Sequence, residues 1–273
     1  MKNDEQKLKE ISEFVVEEKD RFLKEYLKDV KSLQKECFYF LGKGKSIRTI
    51  LTGLCAYEIG LSIRAIIPLA CAIELIHLYT IIHDDLPAMD NATERRGKQA
   101  LHLAFGESNA ILTGDLLQNR AYHLLTTHYS RKKELIDLFF FLTGEKGLIR
   151  GQVYDIKNKL TPLSLRELIE IYKLKTGSLF QLALGGPAII KNLAKEKITL
   201  FKKIGCLFGI IYQIKDDIED EKDTLEPNIV KSVGIEKAKI TLEGYKKELF
   251  KLASSFHFLN RFFGVLFSDA ANN

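Results

Sequence analysis

Apolar residues recur along most of this chain at three- and four-residue spacings, the pattern of helices that bury one face. Between about Asp4 and Leu33, Ile11, Phe14, Val15, Phe22 and Tyr26 stand among many charges and predict an amphipathic helix. From Leu61 to Asp85, Ile66, Ile67, Leu69, Ala70, Ile73, Ile76 and Ile81 make the chain apolar nearly all round. That predicts a central buried helix, kinked at Pro68 and ended by Pro87. Helical pattern resumes over Ser108–Thr127 and over Lys132–Asp155, where Gly144, Gly147 and Gly151 allow close helix contact. A capping-box spacing at Ser164 and Glu167 starts a helix expected to run to Leu184 and stop at Gly185-Gly186-Pro187. Another, from Lys195, carries an apolar run from Phe201 to Ile214. No strand alternation and no repeat of fixed period appears. The pattern predicts one all-α domain over residues 1–273.

Composition narrows the function classes. The 41 basic and 36 acidic side chains of the 273 residues leave a net charge of +5. That is too mild and too scattered for a nucleic-acid footprint. Cys37, Cys55, Cys71 and Cys206 lie far apart in apolar surroundings, without a C-x-x-C pair. They read as buried thiols in a reducing cytosol, not as a zinc site. The first residues lack a signal peptide's apolar core, and Glu74 interrupts the longest apolar run, so neither export nor a membrane span is expected.

The candidate chemistry lies where apolar helices run into acids. The long helix ends at Asp84-Asp85, followed by Pro87, Asp90 and then Arg95-Arg96-Gly97-Lys98. Three acids within seven residues are costly to bury without cations, which points to a divalent metal. Oxygen donors without cysteine favour Mg2+. On an unbroken helix Asp84 and Asp90 would lie about 120° apart, so a bend at Pro87 is needed to bring Asp90 back. The arrangement recurs at Asp216, Asp217 and Asp220, whose spacings of three and four place all three on one helix face. Two such clusters suit several Mg2+ ions bridging a diphosphate. A cationic helix entry, Lys43-Gly44-Lys45-Ser46-Ile47-Arg48, offers side chains and free N–H groups to an anion.

Together these stretches resemble the short-chain trans-polyprenyl diphosphate synthases, the farnesyl and geranylgeranyl diphosphate synthase family. The resemblance runs from Gly42 to about Ile240. It is carried by His77-Leu-Tyr79-Thr-Ile-Ile-His83-Asp84-Asp85-Leu-Pro-Ala-Met-Asp90 with Arg95-Arg96-Gly-Lys98, by Phe105-Gly-Glu-Ser-Asn-Ala-Ile-Leu-Thr-Gly114-Asp115, by Lys175-Thr176-Gly177, and by Gln213-Ile-Lys-Asp216-Asp217-Ile-Glu-Asp220. It implies antiparallel helices around a deep central cavity, in a cytoplasmic homodimer that joins isopentenyl diphosphate head to tail to dimethylallyl and geranyl diphosphates. On this resemblance Asp84, Asp85, Asp90 and Asp216, with Asp217 and Asp220, hold Mg2+. Arg95, Lys175, Thr176 and Gln213 contact the allylic substrate, and Lys45, Arg48, His77 and Arg96 hold isopentenyl diphosphate. Asp84, Asp85, Asp90, Asp216 and Lys175 are the expected catalytic set.

Chain length is expected to be set by Tyr79, about 7.5 Å below Asp84 along the helix, with Thr80 beside it. An aromatic residue at that position of the family accompanies farnesyl diphosphate; geranylgeranyl diphosphate is the alternative product. The chain also departs from the family. The pattern Gly-Gly-Lys-Arg-x-Arg-Pro reads here Lys43 to Thr49, losing a glycine, the arginine at Ser46 and the proline. After Asp220 a lysine-bearing loop is shortened, leaving Lys222 or Lys231 as candidate replacements. Two other readings compete. His83-Asp84 is also the signature pair of HD-type phosphohydrolases, which leaves Asp216 to Asp220 unexplained. A catalytically silent partner subunit would explain the short loop but not six retained acids.

Overall fold

The structure, a computed structural model, describes residues 2–159, 161–219 and 227–267. The chain groups into two compact units. The first comprises Lys2–Tyr57 and Leu61–Ile136, the second Glu58–Gly60 and the chain from Asp137.

The first unit opens with α1 (Lys2–Tyr26), α2 (Gln34–Phe38) and α3 (Ile47–Glu58), followed by a short 3-10 turn and α4 (Ile67–Asp84). Pro68 sits in the first turn of α4 rather than inside it. Its missing N–H has no helical partner to lose there, so it starts the helix where a kink was expected. Twelve of the eighteen residues of α4 are buried. The segment Ile63–Asp84 is long and apolar enough to cross a membrane, but 72% of its most apolar window is buried inside the protein, as in a core helix. It packs on α1 and on α6 (Glu107–His128), which follows α5 (Leu101–Phe105). At the contact with α6, a Cβ on Gly114 would lie 2.1 Å from His83 Nε2, so only glycine fits.

One local element departs from the all-helical expectation. Glu94–Arg95 (β1) and Lys98–Gln99 (β2) pair as a minimal antiparallel hairpin. Its two turn residues, Arg96 and Gly97, both have positive φ, at 55° and 70°. That is the turn whose twist suits a two-residue hairpin.

The second unit is built on α11 (Lys195–Glu219), which packs on α10 (Gly177–Ile190), on α13 (Ile235–Ala253) and on α9 (Leu165–Lys175). It also holds α8 (Leu148–Lys157), α12 (Ile229–Val233) and α14 (His257–Phe267), and the chain enters it within α7 (Lys133–Thr143). Phe208 is fully buried among Phe180, Phe263 and Phe267. A Cβ on Gly209 would meet the Gly177 Cα at 2.5 Å, so paired glycines let α10 and α11 touch backbone to backbone. The capping box forms as expected, with Ser164 Oγ accepting from the Glu167 N–H.

Two helix ends differ from the sequence expectation. The stretch 132–155 divides into α7 and α8 around Gly144 and Gly147, whose low helix propensity breaks the run. Conversely, α10 begins afresh at Gly177 and continues through Gly185, Gly186 and Pro187 to Ile190. Nearly every one of its residues is buried, and packing outweighs propensity there.

Candidate functional site

Asp84 is the last residue of α4 and Asp85 its C-cap. Beyond them Pro87 turns the chain, and the Asp90 N–H donates to the Asp84 carbonyl at 2.9 Å. Further bonds from the Met89 and Asn91 N–H groups to the Leu86 carbonyl close the turn. The bend required by the spacing therefore exists, and it holds the backbones of Asp84 and Asp90 together.

Asp85 points inward. It is fully buried, and its Oδ1 accepts from Arg95 Nε at 2.9 Å and Arg95 Nη2 at 2.6 Å. Its Oδ2 is buried without a hydrogen-bond partner. Burial pushes its carboxyl above the usual carboxylate range, against the pull of Arg95, and Asp90 adds repulsion. Among the described residues no three acid, histidine or cysteine side chains form a ready-made metal cage. Mg2+ does not need one, since it takes one or two carboxylates, several waters and phosphate oxygens. Asp84 and Asp90, partly exposed on either side of the buried and Arg95-bound Asp85, are the carboxylates of this turn that fit such a cation.

A cationic group lies in the same unit. Arg48 Nη1 donates to His77 Nε2 at 3.2 Å, which requires a neutral imidazole protonated at Nδ1. Burial, and then Arg48, Arg96, Arg95 and Lys19, hold His77 well below its ordinary pKa. Arg96 bonds the Phe40 carbonyl at 3.2 Å and faces the buried Glu74 at 3.6 Å. A Cβ on Gly44 would lie 2.9 Å from the Arg96 guanidinium, so the glycine lets the cationic loop lie against it. Lys45 is exposed on that loop. Thus Arg48, His77, Arg95 and Arg96, separated by up to 48 positions in sequence, form one charged neighbourhood. His83 instead donates from Nε2 to the Ile111 carbonyl at 3.0 Å, which fixes its ring against α6.

The family model described as polyprenyl synthetase matches residues 30–242. The chain belongs to that family. It is 40% identical over 194 residues to the farnesyl diphosphate synthase of Micrococcus luteus, covering 70% of this chain and 66% of that protein. It is 34% identical over 233 residues to the farnesyl diphosphate synthase of Bacillus subtilis, covering 80% and 78%. The fold superposes with a TM-score of 0.82 on the geranyltransferase of Helicobacter pylori in complex with magnesium and isoprenyl diphosphate, at 27% identity over 94% of this chain and 97% of that one.

The second unit carries a hydrogen-bonded chain around the second acid pair. Thr176 Oγ1 donates to Gln213 Oε1 at 3.0 Å, and Gln213 Nε2 donates to Asp217 Oδ1 at 3.0 Å. Asp217 Oδ2 accepts from the Tyr172 hydroxyl and from the Ile229 N–H. Both oxygens of Asp217 are therefore engaged by protein donors, which makes it an anchor, while the partly exposed Asp216 lies at the preceding position. Asp220 and Lys222 lie outside the described residues. Lys175 is ion-paired to the buried Asp155 at 2.5 Å. Gly151 makes that pair possible, because a Cβ there would lie 2.4 Å from the Lys175 N.

Sequence reading missed Asp155, Glu74 and Tyr172 as partners of the site. Only Glu74 left a signal, as a lone acid in an apolar helix. Tyr79 lies partly exposed on α4, its ring edge-on to His83 at 5.1 Å. Burial, then Asp84, Tyr122 and Asp115, raise its hydroxyl above the ordinary value. Thr80 Oγ1 returns to the His77 carbonyl at 2.8 Å and is thereby turned to its own helix.

Proposed function

We propose that the protein is a magnesium-dependent prenyltransferase that joins isopentenyl diphosphate head to tail to dimethylallyl and geranyl diphosphates and releases farnesyl diphosphate. The observation that carries this reading is the closed Asp84–Asp90 turn, with Arg95 bound to its buried middle carboxylate. Family membership and the two Asp-Asp pairs support it.

Asp84, Asp90 and Asp216 are the metal-binding carboxylates in this reading, with Asp85 fixing Arg95 toward the allylic diphosphate. Magnesium, when bound, neutralises charge on the departing diphosphate as a Lewis acid. Arg95, Lys175, Thr176 and Gln213 orient the allylic substrate, and their donors stabilise the negative charge that grows on it. Lys45, Arg48, His77 and Arg96 hold isopentenyl diphosphate, with His77 keeping Arg48 in place as a neutral acceptor. The allylic carbon–oxygen bond breaks first, the isopentenyl double bond then attacks the allylic cation, and the proton lost from the adduct passes to the released pyrophosphate. No protein nucleophile or general base is needed.

Tyr79 is the floor that stops growth at farnesyl length, and Lys231 is the described candidate for the cation of the shortened loop. The chain acts as a single synthase domain, cytoplasmic and homodimeric. The exposed Leu103, Ile111 and Leu112 of α5 and α6 support self-association. Chromatography of dephosphorylated products from purified protein, Mg2+ and both substrates tests the assignment. Farnesol is expected from the wild type. Geranylgeraniol instead would assign the longer product, and no product alone but an altered spectrum on mixing with an active synthase would make the chain a partner subunit.

A further inference from the structure

The helix α1 lies outside the matched residues 30–242, yet it carries a lysine with no solvent exposure. Lys19 Nζ is 2.8 Å from Asp20 Oδ1 and 3.4 Å from Ser46 Oγ. A buried ammonium is costly, and a core position on an amphipathic helix would ordinarily be apolar. What the pair touches gives it a use. The loop from Gly42 to Ser46 has two left-handed corners, Gly42 at φ 71° and Ser46 at φ 51°. Asp20 lies beside the first, where a Cβ on Gly42 would come within 3.7 Å of its Oδ2. Lys19 bonds the second. Ser46 is not a glycine, so its left-handed backbone is strained and needs an outside hold. Its carbonyl also accepts the Ile50 N–H at 3.0 Å, which ties that corner to the start of α3. The loop between the corners bears Lys43 and Lys45, and Arg48 follows in the first turn of α3. Three like charges in six residues repel and would spread an unanchored loop.

We propose that Lys19 is a positioning residue for isopentenyl diphosphate binding: it holds the Ser46 corner of the Gly42–Ser46 loop, while Asp20 pairs with it beside Gly42, so that Lys45 and Arg48 keep the spacing that grips a diphosphate. The inference rests on the prenyltransferase reading and extends it to a helix outside the family's motifs. Ser46 stands where the related motif carries an arginine, so the loop lacks one cation of its own and has a buried one behind it. Lys19 also lies near enough to His77 to help keep that imidazole neutral. Pre-ordering the loop lowers the entropy lost on binding, and its loss falls on the isopentenyl substrate alone.

The test is steady-state kinetics of Lys19→Met, Ser46→Ala and the double variant. Met fills the buried space without the charge, and Ser46→Ala alters a partly exposed side chain that threatens no core. Each single variant is expected to raise the KM for isopentenyl diphosphate about tenfold. The kcat and the allylic KM should stay within about twofold. The double variant should be no worse than the worse single one, because both remove the same contact. Unchanged isopentenyl KM in both single variants, additive losses, or equal rises for both substrates would overturn the proposal. Amide hydrogen exchange of the substrate-free protein reads the clamp without catalysis. Faster exchange confined to residues 43–50 in Lys19→Met supports it, and an unchanged rate there overturns it. If the wild type makes no prenyl product, the kinetic reading falls with the prenyltransferase assignment, and the exchange result still decides the clamp.

Discussion

At the scale of single residues, protonation and size are the levers that the site exposes. His77 is held neutral by burial and four surrounding cations, so its folded pKa lies below its unfolded value. The unfolded chain then binds the extra proton first, and the stability contributed by neutral His77 is present above the unfolded pKa and lost as pH falls below it. Denaturation midpoints of the wild type should therefore drop between about pH 7 and pH 5, near the ordinary histidine pKa. His77→Asn should flatten that part of the curve; identical slopes would show that His77 does not carry it. Tyr79 offers a test of size. Tyr79→Ala should lengthen the product beyond farnesyl, read by chromatography, and an unchanged chain length would remove Tyr79 from the role of floor. The Asp217 anchor gives a third test. Tyr172→Phe removes a donor to a buried carboxylate and should cost about 1–3 kcal/mol in denaturant titration.

At the scale of elements, close backbone contact decides where the site residues sit. Gly209→Val would drive a side chain into the Gly177 backbone, and the expected loss is about 2 kcal/mol or more of unfolding free energy. A variant as stable as the wild type would contradict the backbone contact between α10 and α11. What could be read from sequence follows the same division. The acid turn was legible because Pro87 and the spacing of Asp84 and Asp90 are local facts, and so was the capping box at Ser164. The hairpin at Arg96-Gly97 was not, since two-residue strands are too short to show alternation. The continuation of α10 through Pro187 was hidden because burial on all sides, not local propensity, holds it. Ion pairs such as Lys175–Asp155 and the Lys19–Ser46 contact join residues 20 and 27 positions apart, and no periodicity reports such pairings.

At the scale of the whole molecule, each unit brings an Asp-Asp pair at the end of a long helix: Asp84-Asp85 at the end of α4 in the first and Asp216-Asp217 near the end of α11 in the second. Turnover should depend on both. Asp84→Ala and Asp216→Ala should each lower the rate by about a hundredfold or more while leaving the unfolding midpoint near that of the wild type. Either variant at full rate would take its carboxylate out of the metal set. The most direct test of the central claim is the stoichiometry of the reaction on adding Mg2+ to metal-free protein with isopentenyl and geranyl diphosphates. The account predicts no turnover before Mg2+, and afterwards one pyrophosphate released for each farnesyl diphosphate formed. Product formed in EDTA, or phosphate and pyrophosphate released without a new carbon–carbon bond, would contradict it.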